Sequence, residues 1–197
     1  MMRTADLILN AAIFAVTLFL AVRCFRKDGK WDRGYGRYQF CFFTLQSNVL
    51  CAVSALLMCF FRDSRPVWLL KYIGTAAVTV TMLTVFFFLA PSIGKGGLRE
   101  LLKGGAFFLH FLTPVMALVS FCVFEKRGMS FAQALLGMLP LVYYGPLYLY
   151  KIRWAPEGKA WKDFYGFNRS GKWPVSLAAM LLGTFLICMA LMAVQNA

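Results

Sequence analysis

Residues 174–194 read PVSLAAMLLGTFLICMALMAV, a stretch without a single charged side chain. About 20 apolar residues in helical geometry cross a hydrocarbon core roughly 30 Å thick, so this stretch reads as a transmembrane helix. Five further runs have the same character, over 7–25, 40–61, 67–90, 105–124 and 131–150. Each is continuously apolar rather than alternating, which favours helices over the strands of a barrel. The expected fold is therefore all-α: a single polytopic membrane domain spanning 1–197, built as a six-transmembrane-helix bundle with little chain outside the bilayer. Pro140, and Gly145 with Pro146, are expected to kink the fifth helix.

Composition agrees. Of 197 residues, 60% are hydrophobic and only 15% are charged, against roughly 25% charged in soluble domains, and the mean hydropathy is +0.66. Charge is skewed, with 21 Lys and Arg against 8 Asp and Glu. The basic residues lie between apolar runs rather than on a polar face, so the expected partner is the anionic membrane surface and not nucleic acid. The six cysteines, all in or beside apolar runs, include no C-x-x-C pair and read as free thiols. The N-terminal run lacks an A-x-A cleavage site and reads as a retained first helix. All five Trp fall outside or at the edges of the runs, as an aromatic belt would.

The connections sort into two faces. Counted into the helix ends, loops 1, 3 and 5 hold 15 of the 21 Lys and Arg, and the termini with loops 2 and 4 hold 6. The positive-inside rule then places loops 1, 3 and 5 in the cytoplasm and both termini outside.

Within hydrocarbon the polar residues are the informative ones, because burying them unpaired costs free energy. In the second run Thr44, Ser47, Asn48 and Cys51 stand at i, i+3, i+4 and i+7, on one stripe of a helix. Such residues commonly hydrogen-bond between helices. In the fourth run stands His110, the single histidine of the chain, with Thr113 on the same face. An intramembrane histidine is a packed hydrogen-bonded residue, a proton relay, a haem ligand or a catalytic base. Counted from their loops, Thr44 and His110 each sit about five residues into their helices, roughly 7–8 Å deep, on the same side. A hydroxyl beside an imidazole is the minimal nucleophile–base pair of acyl transfer. Thr84 of the third run lies nearest that side and is a candidate pocket liner, and Ser47, Asn48 and Thr113 are candidate oxyanion donors. Loop 5, over 151–172, is basic and aromatic; it reads as an interfacial segment or as a lid, with Asp163 or Asn168 orienting the base. No phosphate loop, no G-x-S-x-G elbow and no metal-ligand spacing occurs, so no metal and no cofactor are expected for a hydrolytic site. A bis-histidine haem is excluded within one chain.

Two segments carry a resemblance. Gly36-Arg37-Tyr38-Gln39-Phe40-Cys41-Phe42-Phe43-Thr44 enters the second run, and Leu109-His110-Phe111-Leu112-Thr113-Pro114 lies in the fourth. Together they resemble the androgen-induced protein and androgen-dependent TFPI-regulating protein family, and more closely its bacterial six-helix relatives with an F-T-x-Q-S-N signature, here Phe43 to Asn48. The resemblance implies an intramembrane threonine hydrolase of fatty acid esters of hydroxy fatty acids, with Thr44 as nucleophile and His110 as base, acting on membrane lipids in a bacterial cell membrane. The chain departs from the family in having Ser47 where Asn or Asp is usual, and Phe111-Leu112-Thr113 where the family has Thr-Thr or Thr-Ser after the histidine. Two other classes stay open: a non-catalytic lipid-binding or transport protein with Thr44 and His110 as polar glue, and a haem or quinone protein held by His110.

Overall fold

The computed structural model describes residues 2–197; Met1 lies outside the described residues. Among the described residues helices predominate, and the only strands form one short hairpin. Helix α1 is Met2–Arg23; next come β1 (Arg26–Lys27) and β2 (Lys30–Trp31), and then α2 (Arg33–Gln39) and α3 (Phe43–Phe60). Helix α4 runs over Arg65–Ile93, α5 over Gly97–Leu101 and α6 over Gly105–Phe124. Helix α7 occupies 131–153 and α8 is Trp173–Asn196. Five of these, α1, α3, α4, α6 and α8, are long and apolar enough to cross a membrane.

The fifth apolar run behaves differently. It is helical from end to end, but a 3₁₀ turn at Leu136–Met138 divides it just before Pro140. Its longest α-helical piece, Leu139–Arg153, holds 15 residues, roughly 22 Å at 1.5 Å per residue. Proline cannot donate an N–H and its ring crowds the preceding turn, so the backbone tightens there. Gly137 in that turn is tightly packed: a Cβ on it would lie 2.6 Å from Tyr72 Oη and 2.7 Å from Cys188 Sγ.

Proline also shapes α4 and α6. A π turn over Val85–Leu89 precedes Pro91, and a second over Phe108–Leu112 precedes Pro114. In both, the residue before proline reaches back five positions, Ala90 N to Val85 O and Thr113 N to Phe108 O. Widening the helix in this way carries it past the proline ring.

The second run is shortened. Residues 40–42 form a turn, and α3 begins only at Phe43. Upstream, Asp28 (φ 50°) and Gly29 (φ 78°) make the two-residue turn of the hairpin, the Asp-Gly signature of tight hairpins. Asp32 then caps α2 by accepting from Tyr35 N at 2.9 Å.

Polar contacts define two ends. At one, Asn10 donates to Glu125 Oε1 (2.8 Å), Arg127 N to Gln195 Oε1 (3.0 Å) and Met129 N to Asn196 Oδ1 (2.7 Å). The start of α1 and the end of α8 thus meet the 125–130 loop. At the other end, Tyr144 Oη donates to the Cys41 carbonyl at 2.7 Å, joining loop 1 to α7. Trp68 belongs to the core and not to a belt: it is fully buried, stacks on Phe121 and donates to the Glu125 carbonyl at 2.7 Å. Trp31 and Trp154 are more than half exposed. All six cysteines are free, Cys51 and Cys188 buried and the others half-buried. Large apolar side chains cover the outside, among them Phe60 (73% exposed), Phe87 (69%) and Val175 (68%). Apolar surface of that extent is costly in water and suits lipid.

Candidate functional site

Thr44 is the second residue of α3. The residue before the helix, Phe42, is extended and has no polar side chain with which to cap it. The cap comes instead from loop 5: the Tyr165 hydroxyl accepts from Phe43 N at 3.0 Å. Thr44 therefore lies in the first helical turn, not five residues deep. The expected equality of depth with His110, which does sit five positions past the start of α6, fails as a helix count. The two residues nonetheless line one cavity of about 420 Å³, between α1, α3 and α6, whose walls also include Arg23, Arg26 and Gln39.

His110 is placed by the proline-driven π turn. Its Nδ1 stands 2.7 Å from the Leu101 carbonyl. A carbonyl only accepts, so Nδ1 carries the hydrogen and Nε2 keeps its lone pair. The same turn leaves the Leu109 carbonyl without a partner in its own helix. Thr113 N is already bonded to Phe108, and position 114 is a proline. Asn48 fills the gap, donating through Nδ2 to Leu109 O (3.0 Å) as well as to Thr44 O (2.8 Å). No hydrogen bond joins Thr44 to His110 among the described residues.

Ser47 and Asn48 are engaged in holding helices together. Ser47 Oγ lies 2.8 Å from Thr81 Oγ1 and donates to Thr44 O at 3.1 Å. Thr113 is fully buried, its hydroxyl has no partner, and it lines neither wall beside Thr44. Thr84 does line a space next to Thr44, a small cavity of about 30 Å³ closed by Tyr144, Tyr165 and Met180, room for about one water molecule. Thr84 and Met180 also border an apolar groove of about 480 Å³ between α4 and α8. Thr44 thus stands between the cavity that His110 lines and a small apolar space that shares Thr84 and Met180 with the outer groove.

Loop 5 folds over this region. Asp163 accepts from Tyr148 Oη (2.9 Å), Phe167 N (2.9 Å) and Asn168 N (2.8 Å). It therefore braces the loop, and neither Asp163 nor Asn168 bonds the His110 ring, whose partner is Leu101. The aromatic residues are what the sequence did not reveal. Tyr144 and Tyr148 stack on each other, and Tyr165 packs on Tyr148. Burial pushes the Tyr165 phenol up to about 12, against the pull of the Phe43 N–H that it accepts, so it is neutral near pH 7 and retains a proton to donate. The signal in the sequence is loop 5's run of aromatic residues, Phe164, Tyr165 and Phe167, which reads as an interfacial segment or as a lid without showing which of them caps α3. Among the described residues no group of three or more His, Cys, Asp or Glu side chains could hold a metal ion. No family model matches the chain, and no curated protein or solved structure is detectably similar to it.

Proposed function

We propose that this chain is an integral membrane lipid-ester hydrolase in which Thr44 is the nucleophile and His110 the base. The observation that carries the reading is that both residues line a single cavity, with His110 Nε2 left as an acceptor. Thr44 Oγ1 attacks the ester carbonyl while Nε2 takes its proton; the proton then passes to the departing alkoxide, releasing the alcohol. Water, deprotonated by the same nitrogen, attacks the acyl-threonine, releases the acid and restores the hydroxyl. Tyr165 O–H and the Thr44 N–H in the first turn of α3 are the donors available to the oxyanion. The apolar groove between α4 and α8 supplies a place for an acyl chain. Arg23 and Arg26 on the polar side suit an acidic headgroup or carboxylate, as in fatty acid esters of hydroxy fatty acids.

The same reading takes the chain across a bacterial cell membrane six times, with α7 as the additional crossing. Contact of both α1 and α8 with the 125–130 loop supports an even count, since an even number of crossings returns the chain to its starting face. The 15-to-6 excess of Lys and Arg supports loops 1, 3 and 5 in the cytoplasm. The test is turnover of a long-chain ester, and labelling by a fluorophosphonate, with wild type, Thr44→Ala and His110→Ala in detergent. Loss of both activities in the variants is expected, with melting temperatures close to wild type. Equal activity in all three proteins refutes the reading.

A second reading has its own support in the bonds of Ser47 and Asn48 across helices: a lipid-binding or transport protein in which the polar stripe only holds the assembly together. It requires that wild type show no esterase activity at all. A haem protein held by His110 requires a Soret band on purification.

A further inference from the structure

A second polar cluster lies at the opposite end, where α1, α4 and α6 converge. Asp6, Asn10, Lys71, Ser120 and Glu125 are each 3% exposed or less. Lys71 Nζ donates to Asn10 Oδ1 at 2.7 Å. Since an ammonium only donates, the Asn10 amide is fixed with Nδ2 turned toward the acids. That nitrogen is 3.1 Å from Asp6 Oδ1, 3.1 Å from the Asp6 carbonyl, 3.2 Å from Ser120 Oγ and 2.8 Å from Glu125 Oε1. Ser120 Oγ is in turn 2.9 Å from Asp6 Oδ1 and 3.0 Å from Glu125 Oε1.

Counting hydrogens exposes a deficit. The amide carries two and the hydroxyl one, and they must serve these six contacts. Asp6 Oδ1 and Glu125 Oε1 hang on the same nitrogen and the same hydroxyl. If Ser120 donates to Asp6, its contact with Glu125 is oxygen against oxygen with nothing between. Asp6 has an ion pair, Arg62 Nη1 at 3.0 Å from Oδ2. Glu125 has none among the described residues, and its Oε2 is buried without a partner. An ionised carboxylate left so is expensive.

We propose that this cluster is a proton-binding site in which Glu125 carries a proton at neutral pH and donates it to Ser120, which donates to ionised Asp6. One added proton turns a repulsive contact into a hydrogen-bonded chain from α6 to α1. The other groups facing Glu125 are Asp6 and Arg62, Lys71 from α4, Cys51 and Cys59 from α3, and Cys122 and Lys126 on its own stretch of chain. Lys71 is the largest opponent of protonation, and the hydrogen bonds offered by Asn10 and Ser120 oppose it too; but Lys71 bonds Asn10 and makes no ion pair with either carboxylate among the described residues. Burial dominates and pushes the Glu125 carboxyl upward. Loss of the proton places two carboxylates on one hydroxyl, so the junction of α1 with α6 weakens as pH rises.

The test uses the full chain in detergent. Infrared spectra of wild type at neutral pH are expected to contain a protonated-carboxyl stretch that is missing from Glu125→Gln. Thermal midpoints of wild type should fall from mildly acidic to mildly alkaline pH, short of the range in which Tyr165 titrates, while Glu125→Gln, which keeps the shape and a donor, stays level. Should Glu125→Gln not fold, Ser120→Ala serves: the carboxyl stretch persists and shifts. No protonated carboxyl at neutral pH, loss of the stretch in Ser120→Ala, or equal pH dependence in wild type and Glu125→Gln overturns the proposal. So does rescue of alkaline stability by sodium but not choline chloride, which would make the ligand a metal cation.

Discussion

Asn48→Ala should destabilise the protein chiefly because of a proline on another helix. The substitution removes the donor to Leu109 O, 3.0 Å away. An interhelical hydrogen bond in a membrane bundle contributes about 0.6 kcal/mol on average and up to about 1.7. Here the acceptor has no alternative: Thr113 N is bonded to Phe108, and Pro114 has no N–H. Leaving a buried carbonyl unpaired costs about 1–3 kcal/mol, so the expected loss is about 2 kcal/mol. The reasoning is specific enough for a double-mutant cycle. Pro114→Ala restores a backbone donor, allowing Thr113 N to return to Leu109 O in ordinary α-helical register. In that background Asn48→Ala should cost under about 1 kcal/mol, giving a coupling of about 1 kcal/mol or more. Reversible unfolding in mixed micelles, monitored by circular dichroism, measures all four proteins. Additivity within about 0.5 kcal/mol would refute the claim that Asn48 serves the carbonyl orphaned by Pro114.

Two further outcomes are expected. Gly137→Ala should destabilise by about 1–3 kcal/mol through overpacking, more than the ~1 kcal/mol that alanine gains over glycine in a helix, because its Cβ would meet Tyr72 and Cys188 inside contact distance; a raised thermal midpoint would contradict the packing described. Tyr165 has its phenol raised from 10 to about 12 in the folded state, so folding favours the protonated form and the stability this confers is lost as pH climbs from about 10 through 12. Tyr165→Phe should flatten that decline in alkaline melts while lowering stability near pH 7 by about 1 kcal/mol through loss of the Phe43 N–H acceptor; an unchanged alkaline slope would count against it.

The helical segments were legible in sequence because apolar length alone decides them. Five of the six runs stand as long apolar helices, and the sixth, though helical, is broken before a proline that was itself visible. Pro91 and Pro114 were equally visible, but their effect was not: a proline kinks, ends or widens a helix according to whether nearby groups satisfy the carbonyls it orphans. Asn48 does that for Leu109 from a different helix. The start of α3 was misplaced for a related reason. Phe40, Cys41 and Phe42 are as apolar as the helix they lead into, and the cap that begins that helix is Tyr165, more than a hundred residues away.

Sequence by itself determined that this chain is helical and apolar outside, since hydrocarbon-length runs without charge have few alternatives. It also singled out Thr44 and His110, because polar side chains within such runs are rare. Only the tertiary structure decided what those residues face. It put both on one cavity wall, gave His110 its tautomer through the Leu101 carbonyl, and turned Asp163 into a brace for loop 5. It also gathered Asp6, Ser120 and Glu125 around too few hydrogens. Hydrogen-bond partners are set by which helices meet and at what rotation, and periodicity within one helix carries no information about its neighbour.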